Sequence, residues 1–260
     1  MNHSAVNGSA PSLAALTRAA DFGASLIDIL PRIGDANSSE TAVDLLRQAV
    51  SFFGADSGVF MSFLRDDATR ASYRAILACD PVWASEYARN NWFAHDPWLR
   101  HAGHDTEPVR SSELILTSAD ERAFAAASAE LGFASALIAP APTCAGLSRI
   151  GVLCIGSMRH GYFDDQGYAA ARVMARALAM ELHRWQLNTI RQELLVKSKL
   201  NAADIELLRH ELAGHSSKVI GAAMNIEPKT IDCRFQRISA KLDAPDRRTA
   251  ARIAGLYGLI

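Results

Sequence analysis

The feature that most restricts this chain is the punctuation of its last sixty or so residues. Gly214, Asn225 and Pro228 fall where a helix must stop, turn or start, and the apolar residues between them recur at three- and four-residue intervals. Ile205, Leu208 and Leu212 mark one helix from Ala202 to Ala213, opened by Asn201 with Asp204 three residues on, a capping-box pattern. Gly214 supplies the left-handed residue that closes it. Ser216 or Ser217 caps a short second helix carrying Val219, Ile220 and Ala223; Asn225 makes the turn and Ile226 plugs it. Pro228 then stands at the first position of a third helix, where its missing N–H costs nothing. In that helix Ile231, Phe235, Ile238 and Leu242 repeat at 4, 3, 4, which buries one stripe and leaves Lys229, Asp232, Cys233, Gln236 and Arg237 on the open face. Asp246 caps a last helix whose Ala250, Ile253, Ala254 and Tyr257 form a second apolar stripe, expected as a contact between two copies of the chain.

Helix, short helix, tight turn and a helix with a basic open face is a geometry that inserts one helix into a DNA major groove. The pattern alone leaves open a plain four-helix tail whose charges are merely solvated. Charge adds weight to the first reading. The net charge of the chain is −1, but from Lys199 to Ile260 ten Lys/Arg face seven Asp/Glu, so this tail is +3 and the remainder −4.

The length of 260 residues suffices for two domains with separate cores, and 49% apolar with 21% charged residues is a globular composition. The N-terminus has no basic segment followed by an apolar run, so a secretory signal is not expected. The longest uncharged run, Leu131–Ser148, is broken by Pro140 and Pro142 and is too rich in Ala and Ser for a membrane span. Cys79, Cys144, Cys154 and Cys233 are scattered without a CxxC pair, which suits a reducing cytoplasm.

Ahead of the tail, residues 1–12 read as a frayed start, and Ser12–Leu30 and Glu40–Phe53 as amphipathic helices. Gly58–Leu64 and Tyr73–Leu77 read as strands, Pro81–Asn91 as a helix, and the His- and Asp-rich Ala94–Pro108 as loop. Ser118 caps a helix ending near Gly132; Phe133–Pro140 and Arg149–Gly156 are strands; a long helix starts at Asp164 or Asp165 and runs past Trp185 toward Leu195. The expected fold is therefore α+β: an N-terminal α/β/α sandwich around an antiparallel sheet, followed by an all-α four-helix helix-turn-helix domain. The expected boundaries are residues 1–34 for an extension and first helix, 35–190 for the sandwich, 191–199 for a polar linker and 200–260 for the helical module.

The chemistry of the first domain concentrates between Cys79 and Trp98. Trp83 and Tyr87 share a helix face, and Asp96-Pro97 follows among Trp92, Phe93 and Trp98. Aromatic walls with one fixed acceptor suit a small amphipathic ligand. The same residues also fit a core with an Asp cap.

The string from Leu200 to Ile260 resembles the LuxR-type helix-turn-helix over its whole length, with matches that include Leu200, Glu206, Leu208, Gly214, Ser216, Lys218, Ile220, Ala222, Ile226, Thr230, Ile231, Lys241, Leu242, Arg247, Ala250 and the closing Gly258-Leu259-Ile260. The resemblance implies a homodimer that binds a palindromic promoter site in double-stranded DNA. It puts base reading at Asp232, Cys233 and Gln236 and phosphate contacts at Lys218, Lys229, Thr230 and Lys241, with Ser217 and Arg237 also in the DNA-binding set. Gln236 would pair with adenine and Asp232 accept from a cytosine amino group. The chain departs from the family at Ala203-Asp204, Glu227, Arg234 and Asp232.

Trp83, Tyr87, Asp96 and Pro97 also resemble the acyl-homoserine-lactone-binding domain that precedes this module, and Glu121-Arg122-Ala123-Phe124 and Gly132-Phe133 fit its later helix. In that family the Trp donates to the lactone carbonyl and the Asp accepts from the ligand amide. Cys79 replaces a Tyr donor, Ser111 the Trp that floors the lactone ring, and Ala136 a Gly near the pocket. The implied ligand site thus comprises Cys79, Trp83, Tyr87, Asp96, Pro97, Ser111 and Ala136. The resemblance implies a small amphipathic signal, an acyl-homoserine lactone or a variant of one. The departures imply a poor response to common lactones, with space beside Arg110 for a bulkier or acidic head group or for no ligand at all. No cofactor is implied.

Two alternatives stand beside this. One is a regulator that needs no ligand, its N-terminal domain serving only to dimerise. The other is a metal hydrolase using His95, Asp96, His101, His104 and Asp105, although the spacing matches neither HEXXH nor a His-x-His pair, and neither a GxSxG elbow nor a phosphate-binding Gly loop is present.

Overall fold

The computed structural model describes residues 10–65, 71–142 and 149–260. Residues 1–9, most of the expected frayed start, and Cys144 lie outside the described residues. The chain divides into two compact units, one built mainly from residues up to His183 and one mainly from Arg184 to Ile260.

In the first unit, α1 (Leu13–Arg18) and α2 (Ala20–Gly34) share the stretch expected as a single helix; Ala19, at φ −65° and ψ 138°, breaks it. α3 (Ser39–Phe52) starts at Ser38, whose side chain accepts from the Thr41 amide. A five-stranded sheet follows, β1 (Ser57–Arg65), β2 (Ala71–Ala78), β3 (Val109–Arg110), β4 (Ser135–Pro142) and β5 (Arg149–Ser157), in the order β2-β1-β5-β4-β3. β4 runs antiparallel to both β3 and β5. Between β2 and β3 lie α4 (Val82–Arg89) and α5 (Pro97–Ala102); between β3 and β4 lies α6 (Ala119–Ser128), extended by one wide turn to Phe133. Gly132 at φ +103° ends that turn, where a Cβ would come within 2.1 Å of the Ser57 hydroxyl.

Alternation along the strands assigns each sheet face. Val59, Met61, Ala136, Ile138, Val152 and Cys154 pack with Trp83, Tyr87, Trp98 and Phe124 from α4, α5 and α6. The opposite face carries Phe60, whose ring lies against His183 of α7 (Tyr168–Ser198), and Gly58, under Leu46 and Val50 of α3. Helices thus cover both faces, as an α/β/α sandwich requires.

Two expectations need correction here. Ala94–Pro108 is not all loop: Asp96 caps α5 and Pro97 is its first residue, a start signal that the His- and Asp-rich composition obscures. Residues 191–199, expected as a polar linker, continue α7 as helix as far as Ser198, and Lys199 follows with φ +52°.

The second unit holds α8 (Ala202–Leu212), α9 (Ser217–Met224), α10 (Pro228–Lys241) and α11 (Arg247–Leu256). Asn201 and Asp204 form the reciprocal capping box, Ser216 caps α9, Asn225 turns at φ +54°, and Pro228 opens α10. Leu207, Leu208, Ile220, Ile231, Phe235, Ile238 and Leu242 form the core, whereas Leu212, expected in the stripe, is exposed. Ala250 and Ala254 are fully buried in that same core. The stripe expected to contact another copy is therefore largely consumed within the module, because α11 packs along α8 and α10.

Candidate functional site

The first site is an aromatic cage assembled by α4, α5 and α6. Trp83 and Tyr87, one helical turn apart, stack at 4.8 Å between ring centroids, and Trp83 lies parallel to Trp98 at 6.4 Å. Phe124 meets the edges of Trp98 and Trp92 at 4.8 Å and 5.1 Å. Asp96 sits inside this cage, 3% exposed. Its Oδ1 accepts from the Trp98 and Leu99 amides at 2.8 and 3.1 Å, and its Oδ2 from the Tyr87 hydroxyl at 2.8 Å. Burial pushes the carboxyl up to about 6, against the lowering effect of those three bonds. Asp96 thus caps α5 through Oδ1 and accepts from Tyr87 through Oδ2.

The Trp83 indole Nε1 is buried and has no hydrogen-bond partner among the described residues. A buried donor left unpaired costs about 1–3 kcal/mol, so it needs a reason. Trp83, Tyr87, Cys79 and Ala136 belong to or pack on this one cluster, Asp96 is joined to it through Tyr87, and Pro97 is buried at the start of α5. Cys79 is half-buried, its thiol directed at the Asp80 carbonyl at 3.6 Å and pushed up to about 12 by burial and by Asp80.

Ser111 does something the sequence did not suggest. Its hydroxyl accepts from the Ala136 amide at 3.0 Å, so two of the three departures from the family touch each other. Arg110, expected to border a head-group space, stacks its guanidinium 4.1 Å over the ring of Tyr168 in α7, while Val109 before it packs on the cage. Alternation sends the two side chains to opposite faces. A further clamp was also missed. Arg100 of α5 holds Glu121 of α6 at 2.7 Å and the Ile115 carbonyl at 2.7 Å, tying the segment before α6 to the cage; two charges twenty-one residues apart carry no local signal.

The residues weighed for a metal have other partners: His95 lies 3.8 Å from Asp120, His101 bonds the Glu107 carbonyl, His104 the Arg100 carbonyl, Asp105 the Thr106 and Glu107 amides, and Asp96 is held as above. Among the described residues no group of three or more His, Cys, Asp or Glu is placed to hold a metal ion.

The second site is the open face of α10. Lys229, Thr230, Asp232, Cys233, Gln236 and Arg237 are exposed there, with Lys218 exposed on α9. Ser217 and Asp232 face each other, the hydroxyl 2.5 Å from Oδ1. Arg247 is a hub that pattern reading did not single out: it bonds Glu211, the Ser217 hydroxyl at 2.8 Å and the His215 carbonyl at 3.2 Å, and lies 4.5 Å over the Phe235 ring. Lys241, expected among the phosphate contacts, instead bonds Asp204 at 2.6 Å and the Lys199 carbonyl at 2.9 Å.

Comparison with known proteins bears on both sites. The Autoinducer binding domain family matches residues 38–185, and the family of bacterial regulatory proteins, luxR family, matches residues 196–254. The chain belongs to the LuxR family. A LuxR-family chain is a transcriptional regulator with an autoinducer-binding and a DNA-binding domain, not an enzyme. Among solved structures, SdiA of Escherichia coli is similar with a TM-score of 0.71 at 16% identity, covering 92% of this chain and 99% of its own. SdiA in complex with octanoyl-rac-glycerol gives 0.69 at 15% identity, with 93% and 98% covered. CepR2 of Burkholderia cenocepacia, described as an N-acylhomoserine lactone dependent LuxR family transcription factor, gives 0.57 at 16% identity, with 65% and 97% covered. At such identities the likeness is one of fold. No curated protein sequence matches the chain. No helix among the described residues is long and apolar enough to cross a membrane.

Proposed function

We propose that this LuxR-family regulator is a cytoplasmic homodimer that reads a palindromic site with α10 and is controlled by a neutral acyl compound held in the aromatic cage. The observation that carries the ligand half is the unpartnered Trp83 Nε1. A carbonyl placed there would satisfy it, and a ligand donor would take the remaining lone-pair site of Asp96, whose carboxylate accepts three bonds of about four available. Cys79 and Ser111 favour a flexible hydroxylated head over a lactone ring: neither offers a phenol donor or an indole floor. SdiA, a structural neighbour described in complex with octanoyl-rac-glycerol, lends that class of acyl ester support.

A second reading has its own observation. The rings of the cage already lie in contact, and Asp96 has a structural task, as in a domain that only dimerises. Thermal unfolding of the purified chain with octanoyl-rac-glycerol and with octanoyl-homoserine lactone separates the two. Stabilisation of the wild type by the glycerol ester, lost in Trp83→Phe, supports the sensor; no stabilisation by any acyl compound of varied chain length supports the ligand-free reading.

For the DNA half, Lys218, Lys229 and Thr230 would hold phosphates while Asp232, Cys233, Gln236 and Arg237 face base edges. Absence of preference for any palindrome over random DNA would overturn it.

A further inference from the structure

From this geometry we infer that Asp232 is a pre-oriented base-reading acceptor that selects cytosine in the major groove, with Ser217 and Arg247 as its positioning residues. The inference rests on the reading of α10 as the groove helix. An acid on a surface that approaches phosphates is out of place unless its charge is offset and its direction fixed. Both conditions are met. Arg247 Nη1 lies 3.5 Å from Asp232 Oδ1, so a guanidinium stands beside the carboxylate. The Ser217 hydroxyl accepts from Arg247 Nη1 at 2.8 Å and donates to Oδ1 at 2.5 Å, a short relay from α11 through α9 to α10.

The relay itself is anchored. Glu211 at the end of α8 and the His215 carbonyl hold the other arms of Arg247, and the Phe235 ring supports its plane. Every bond to Asp232 among the described residues goes to Oδ1; Oδ2 receives none, and the side chain is 60% exposed. The free oxygen belongs to a residue whose turn of α10 also presents Lys229, Cys233 and Gln236 outward. A carboxylate oxygen only accepts, and the base-edge donor that pairs with a carboxylate is the cytosine N4 amino group. Guanine offers only acceptors at the major-groove edge, so it is rejected at the same position. The amino group of adenine is a donor too, but its neighbouring N7 repels a carboxylate.

Selection of binding sites from a random palindromic pool with the full-length protein tests this. The wild type should enrich a half-site with one position fixed as cytosine. Asp232→Ala should flatten that position by about ten-fold while leaving the others, and should bind unselected DNA as well as or better than the wild type, having shed a negative charge. Ser217→Ala should blunt the cytosine preference partway. A residue that merely glues helices would behave otherwise: both variants would melt earlier and bind all sequences more weakly, with the selected bases unchanged. That result, or a wild-type site without a fixed cytosine, overturns the inference and leaves α10 as the groove helix. A wild type that enriches no sequence overturns the groove reading, and the inference with it.

Discussion

Replacing Asp96 by Asn separates what this residue contributes to folding from what it contributes to recognition. The carboxyl is raised from 3.8 to about 6 chiefly by burial, so its ionised form is disfavoured in the folded chain by roughly two pH units, about 3 kcal/mol. The sign follows from which state ionises first. Below pH 4 the carboxyl is protonated folded or unfolded and its contribution to stability is complete. As the pH rises from 4 to 6 the unfolded chain loses the proton while the folded chain keeps it, and stability falls; above 6 the loss is complete. Asn carries no such penalty. Its amide oxygen can still cap α5 through the Trp98 and Leu99 amides, and its amino group can donate to the Tyr87 hydroxyl oxygen. Asp96→Asn should therefore match the wild type near pH 4 and exceed it near pH 8, by up to about 3 kcal/mol less the strength lost from charge-assisted bonds. Urea unfolding followed by tryptophan fluorescence reads this directly, since Trp83, Trp92 and Trp98 of the four tryptophans sit in or on the cage. In the same variant, stabilisation by the acyl ligand should shrink, because an amide amino group there no longer accepts from it. A wild-type-minus-Asn difference that stays flat from pH 4 to 8 would refute the burial argument, and an undiminished ligand response would reduce Asp96 to a helix cap.

Other substitutions test the remaining assignments. Gln236→Ala should cost roughly 1–3 kcal/mol in specific binding and relax one base position, whereas Lys229→Ala should weaken all sequences alike and flatten the salt slope by about one unit, as titrations at several salt concentrations would read. Lys241→Ala should lower the thermal stability of the helical module by about 1 kcal/mol through loss of its bond to Asp204, yet leave the salt slope untouched; a flattened slope would return it to the phosphate contacts. Ser111→Trp, alone or with Cys79→Tyr, should fail to create a lactone response and should cost about 1–3 kcal/mol, because the Ala136 amide loses its acceptor in a buried strand; nanomolar lactone response with unchanged melting would contradict this.

Legibility differed sharply between the two units, for a physical reason. In the helical module the determinants are local. Asn201 with Asp204, Ser216, Asn225 and Pro228 each act within three or four residues, so caps, turn and helix starts could be placed from the string alone, and the open face of α10 emerged residue for residue. What escaped there is the long-range part. Arg247 reaches Glu211 across thirty-six residues, and Lys241 reaches Asp204 across thirty-seven, ties that local spacing does not signal.

In the sensor unit the cage residues were legible because Trp83 and Tyr87 share a helix face, yet their geometry was not, because it depends on how the sheet alternates beneath them. Val109 and Arg110 are adjacent in sequence and belong to opposite faces, so which of them borders the cage is decided by the sheet and not by sequence proximity. The same alternation explains the pairing of Ser111 with Ala136. β3 is only two residues long, and beyond Arg110 the chain leaves the ladder, so the Ala136 amide needs an acceptor that the strand no longer supplies. A serine hydroxyl at the first residue past the strand fills that gap. A bulky aromatic at 111 would have to leave it open, while the side chain at 136 lies on the cage face of β4. The Ser111 clamp thus depends on the backbone of residue 136 and not on its side chain, so the clamp tests the departure at 111 alone.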